Sequence, residues 1–66
     1  MSILEIINEA EREHAEPARV GESRYAKLTA QEAATIEPDL DRVHRGWRVK
    51  LMLSERGTKK LRYTRQ

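Results

Sequence analysis

Sixty-six residues, 38% hydrophobic, 36% charged and without cysteine, allow one small domain and exclude a disulfide-stapled scaffold. The net charge of +2 hides a division: residues 1–41 carry four basic against ten acidic side chains (−6), and residues 42–66 carry nine against one (+8). No stretch approaches the ~18 apolar residues of a membrane span, and the N-terminus lacks the basic start and long apolar run of a secretory signal, so the expected compartment is the cytoplasm.

A chain this short folds on a narrow margin. Ordering costs about 1.5 kcal/mol per residue, and apolar burial returns about 25 cal/mol per Å², so the two nearly cancel. Seven of the hydrophobic residues are alanines and none is Phe. A homodimer, or a partner that completes the core, is therefore a reasonable expectation.

The first predicted element is a helix. Ser2-Ile3-Leu4-Glu5 has the form of a capping box, in which hydroxyl and carboxylate satisfy orphan amides reciprocally. Ile3, Ile6, Ile7, Ala10 and His14 then follow one helical face. Pro17 ends the helix after about four turns, because the residue before proline is driven out of the α region. His14 would sit at its C-terminal end, where positive charge suits the dipole. Residues 17–23 read as a connection.

Residues 24–28 alternate, with Tyr25 and Lys27 on one side and Ala26 and Leu28 on the other, and predict a short strand or extended chain. Thr29-Ala30-Gln31-Glu32 repeats the capping-box pattern and opens a short helix through Ala33, Ala34 and Ile36, which Glu37-Pro38 interrupts. Asp39 is then placed to cap a further helical segment, carrying Leu40 and Val43 inward and closing at Gly46. Residues 28–34 resemble the opening of a helix-turn-helix, which would make residues 39–45 its recognition helix. Gly46 and the alternation after it break that pattern where a recognition helix should run on.

From Trp47 onward the period is two. Trp47, Val49, Leu51 and Leu53 alternate with Arg48, Lys50, Met52 and Ser54, as in a half-buried strand. Ser54-Glu55-Arg56-Gly57 suits a type I turn followed by Gly in the left-handed region, the common three-residue hairpin loop. That loop sets Leu51 opposite Leu61, Val49 opposite Tyr63, and Trp47 opposite Arg65 as a cation–π neighbour. A loop one residue longer would set Leu61 against Lys50 and Tyr63 against Arg48, which the pattern rejects. On the other face Lys50 meets Arg62, a like-charge pair that repels by a few tenths of a kcal/mol.

The expected fold is thus α+β in one domain, residues 1–66. An N-terminal helix and one or two short helices make up the acidic part, 1–45. A C-terminal antiparallel hairpin, 46–66, forms the basic part, with residues 24–28 available as a third strand.

The basic hairpin is where interaction chemistry is expected. A two-stranded ribbon fits the DNA major groove, and alternate Lys/Arg can follow a phosphate backbone. Arg48, Lys50, Lys60 and Arg62 would form the centre of a nucleic-acid-binding patch, extended by Arg42 and Arg45 from the preceding helical segment and by Arg56 and Lys59 near the turn. Against this stands a simpler use, since charged edge strands also discourage aggregation. The other functional reading is a small adaptor or inhibitor bound to one larger protein, with Ile3, Ile6, Ile7 and Ala10, plus Leu4, as apolar anchors.

Catalysis is not expected. His14 and His44 lie thirty residues apart with no cysteine and no spaced carboxylates, so no metal-ligand set is visible. Ser2, Ser23 and Ser54 read as cap, loop and turn residues rather than nucleophiles. Gly21, Gly46 and Gly57 are isolated and make no phosphate-cradling loop. No cofactor is implied, and no membrane role.

Overall fold

The computed structural model describes residues 2–40 and 42–66. Helix α1 (Ile3–Glu11) starts at the expected cap: Ser2 is extended and its Oγ accepts the Glu5 amide at 3.2 Å. Ile3, Ile6 and Ile7 are buried, as the apolar stripe requires. The helix is shorter than expected from Pro17. Past Ala10 the stripe has nothing more to bury, and the Glu13 and His14 amides turn back to the carbonyls of Ala10 and Glu11 at 3.2 and 3.1 Å. His14 consequently lies beyond the helix, exposed.

Glu11, the last helical residue, pairs instead with Arg24, whose Nε also reaches Glu22 Oε2 at 3.3 Å. Glu22 accepts the Arg19 amide at 2.8 Å. That bond, with Arg24 alongside, holds the Glu22 carboxyl below its ordinary value. The loop between helix and sheet is thereby tied at its end, while Ala18 is buried in the core.

Helix α2 (Ala30–Ile36) has the complete capping box: Glu32 N to Thr29 Oγ1 at 3.1 Å and Thr29 N to Glu32 Oε1 at 2.9 Å. It buries Ala33 and Ile36 and passes into a 3₁₀ turn, Glu37–Asp39, that begins where Pro38 forbids further α-helix.

Among the described residues four antiparallel strands follow the order β1-β4-β3-β2: β1 (Ser23–Lys27), β2 (Val43–His44), β3 (Trp47–Leu53) and β4 (Lys59–Arg65). The β3–β4 register is the one the turn chemistry sets, with Leu51 opposite Leu61, Val49 opposite Tyr63 and Trp47 opposite Arg65. In the loop, the Gly57 amide donates to the Ser54 carbonyl at 3.0 Å, the Ser54 amide donates to Thr58 at 2.8 Å, and Gly57 takes φ +79°. The third strand is also present. Residues 23–27 pair with β4, so β4 is an interior strand with a neighbour on each side.

A second segment differs from expectation. The helical continuation from Asp39 to Gly46 is not formed; Val43 and His44 are a strand, paired with Arg48 and Trp47. Arg45 (φ +47°) and Gly46 (φ +89°) both adopt left-handed conformations, giving a two-residue type I′ hairpin turn. Gly46 therefore serves that turn rather than a helix end. Val43 points outward, 58% exposed, and no recognition helix exists among the described residues; Asp41, within the expected helical stretch, lies outside them.

Both helices cover one side of the sheet. Trp47, Val49, Leu61, Tyr63 and Ala26 face them and are buried with Ile3, Ile6, Ile7 and Ile36. Trp47 and Tyr63 meet edge to face, centroids 5.2 Å apart, and the Arg65 guanidinium lies 5.2 Å from the Trp47 ring. The helical layer does not reach the β3–β4 turn. Leu51 is accordingly only half-buried and Leu53 is 70% exposed, although the alternation alone would put both inside.

Candidate nucleic-acid interface

Because side chains alternate along each strand, the register fixes which residues share the uncovered side of the sheet. Three rows cross it. The first holds Ser23, Thr64, Arg48 and Val43, the second Tyr25, Arg62 and Lys50, and the third Lys27, Lys60 and Met52. Five of these ten side chains are cationic and none is a carboxylate.

The four residues expected at the centre of a basic patch, Arg48, Lys50, Lys60 and Arg62, do share this face. The flanking four fare differently. Arg45 lies exposed in the β2–β3 turn and Arg56 in the β3–β4 turn, at opposite ends of β3. Arg42 is exposed just before β2, not on a helix. Lys59 pairs with Leu53 and so belongs, by alternation, to the opposite side of the sheet.

Two residues join the patch that the hairpin alone could not supply. Strand β1 adds Lys27, directly opposite Lys60, and Tyr25, directly opposite Arg62. Their alternation was readable in residues 24–28, but the neighbour of that strand was not. The face therefore carries two like-charge pairs in direct register, Lys50 with Arg62 and Lys27 with Lys60. Each is unfavourable by roughly 0.2–1 kcal/mol.

Tyr25 is 52% exposed, and the Lys60 Nζ lies 4.6 Å from its ring centroid. Tyr25, Lys27, Met52, Arg56 and Lys60 contribute to the walls of a shallow concavity of about 790 Å³ at the β3–β4 turn end of the sheet. Glu9, Glu13 and Glu32 line a second depression along the outer edge of β1, which Tyr25 and Lys27 also border.

Ion pairing is concentrated on Arg24, with Glu11 and Glu22. Among the described residues, none of the eight candidate cations has a carboxylate partner within 4.0 Å. The acidic helix packs its isoleucines on the apolar side of the sheet, and its Glu9 approaches the basic face at the edge strand, beside Tyr25 and Lys27.

Trp47 and Tyr63 are core residues, as the register requires, and do not reach the uncovered face. Among the described residues no group of three or more His, Asp or Glu converges as metal ligands. His44 Nε2 donates to the Asp39 carbonyl at 2.8 Å, tying β2 to the 3₁₀ turn. No described helix is long and apolar enough to cross a membrane. No family model, curated protein or solved structure matches the chain.

Proposed function

We propose that the protein is a small, non-enzymatic nucleic-acid-binding module of the cytoplasm, of a regulatory or mobile-element kind, whose contact surface is the uncovered face of the sheet. One observation carries this reading: five cations and no carboxylate share that face, two pairs of them in direct cross-strand register. Like charges held side by side raise the local potential, and a row of phosphates relieves the repulsion while releasing its own counterions. Arg48, Lys50, Lys60 and Arg62 are the central phosphate contacts, Lys27 extends them across β1, and Arg42, Arg45 and Arg56 are the rim.

The adaptor reading has less to stand on. It uses Ile3, Ile6 and Ile7 as anchors for a partner, and these side chains are buried in the chain's own core.

Fluorescence anisotropy with labelled oligonucleotides tests the proposal. Affinity is expected to fall steeply with salt, the logarithmic slope approaching −0.7 per phosphate contact on a single strand or −0.9 on duplex. The double variant Lys50→Glu/Arg62→Glu is expected to abolish binding. Its thermal unfolding should stay near that of the parent, because one like-charge pair replaces another. Binding that survives this reversal would remove the sheet face from consideration. A single stoichiometric protein recovered after nuclease treatment, with no affinity for oligonucleotides, would replace the proposal by the adaptor reading.

A further inference from the structure

We infer that the ligand of this face is single-stranded nucleic acid, with one base stacked on Tyr25 and the adjoining phosphates held by Lys27, Lys60 and Arg62. The inference rests on the nucleic-acid reading above and specifies its substrate class.

Width argues first. A free two-stranded ribbon enters the major groove, which is about 12 Å wide. Here the hairpin is not free: β1 flanks β4, β2 flanks β3, and helices cover the back. At the rows of Tyr25 and Lys27 three strands, at a spacing of about 4.8 Å, span roughly 10 Å before side chains and the helical layer are added. Strand β2 widens the sheet only at its far end. A sheet flanked and backed in this way is a platform, and base pairs inside a duplex have no exposed rings to lay on it.

The second argument is the aromatic ring itself. An exposed tyrosine among cations is a poor choice for a purely electrostatic surface, yet Tyr25 is 52% exposed, with Arg62 opposite it and Lys60 at its ring. Single-strand binders combine these two parts, a positive track for the backbone and an aromatic on which any base can stack. The concavity supplies the third argument. It brings Tyr25 together with the thioether of Met52 and the cations Lys27, Lys60 and Arg56, with one carboxylate, Glu55, at the turn, so an apolar seat is bordered mainly by phosphate ligands. Stacking of this kind is tolerant of base identity, because every base offers a π-face.

Removal of the ring while the charge is kept separates the two readings. Wild type, Tyr25→Ala and Tyr25→Phe are titrated against a single strand, a duplex of equal length and a single strand of abasic sites, at one salt concentration. The wild type is expected to prefer the single strand. Tyr25→Ala should lose at least about 5-fold on that strand alone, Tyr25→Phe should retain it, and the abasic strand should bind wild type no better than Tyr25→Ala binds the normal one. The salt slope should be the same for all three proteins, since no phosphate contact is removed. Thermal melts should coincide, because Tyr25 lies outside the core. Equal affinity for duplex and single strand, with Tyr25→Ala unchanged, would overturn this inference and leave the electrostatic proposal intact. Absence of binding to every oligonucleotide at low salt would overturn both.

Discussion

Tyr63 has no exposed surface, and its hydroxyl, like Glu11 Oε1, is buried without a hydrogen-bond partner among the described residues. A hydroxyl in that state loses its hydration and gains nothing in return, which typically costs about 1–3 kcal/mol. Burial, reinforced by the Glu11 charge, pushes the phenol above its ordinary value of 10.0. A group whose folded value is raised contributes stability that is intact below pH 10 and is lost as pH rises through the folded value. Tyr63→Phe is therefore expected to match or exceed the parent in urea unfolding at pH 7, by up to about 1 kcal/mol. Its advantage should widen in parallel titrations above pH 10. A variant less stable than the parent at pH 7 would mean that the hydroxyl is bonded after all.

The two hairpins show what a short sequence can and cannot declare. The β3–β4 loop was legible because Ser54-Glu55-Arg56-Gly57 permits one register in which apolar meets apolar, and a slip by one residue would turn every side chain over. The capped starts of α1 and α2 were legible for the same local reason. The β2–β3 hairpin was not. Arg45-Gly46 lacks the Asn or Asp that normally announces a type I′ turn, and two-residue β2 is too short to show alternation. The site divides along the same line. Arg48, Lys50, Lys60 and Arg62 follow from the local turn, whereas Lys27 and Tyr25 depend on a pairing that spans over thirty residues of chain. Arg45 at φ +47° is an unfavourable occupant of its turn. Arg45→Asn should raise the unfolding free energy by about 0.5–1 kcal/mol and reduce the salt slope of binding by at most about one contact. Gly46→Ala should lower stability by about 1 kcal/mol, although open space surrounds the position, since backbone strain alone opposes it.

At the scale of the whole molecule the core is lean: among the described residues eleven buried hydrophobic ones, three of them alanines, stabilise a four-stranded sheet and two helices. A domain of this size holds roughly 3–5 kcal/mol in reserve. Truncating Ile7, which has no exposed surface, should remove about 2–5 kcal/mol and leave the chain largely unfolded at 25 °C by circular dichroism. Val43→Ala, at a site 58% exposed, should change stability by less than about 0.5 kcal/mol. Strand order adds a kinetic consequence. β4 is made after every other element described here, yet it occupies the interior of the sheet, between β1 and β3. Until β4 has been made, β1 has no neighbour to bond with, and the isoleucines of α1 have no Leu61 or Tyr63 to cover. The sheet therefore cannot be completed until residues 59–65 have cleared the ribosomal exit tunnel.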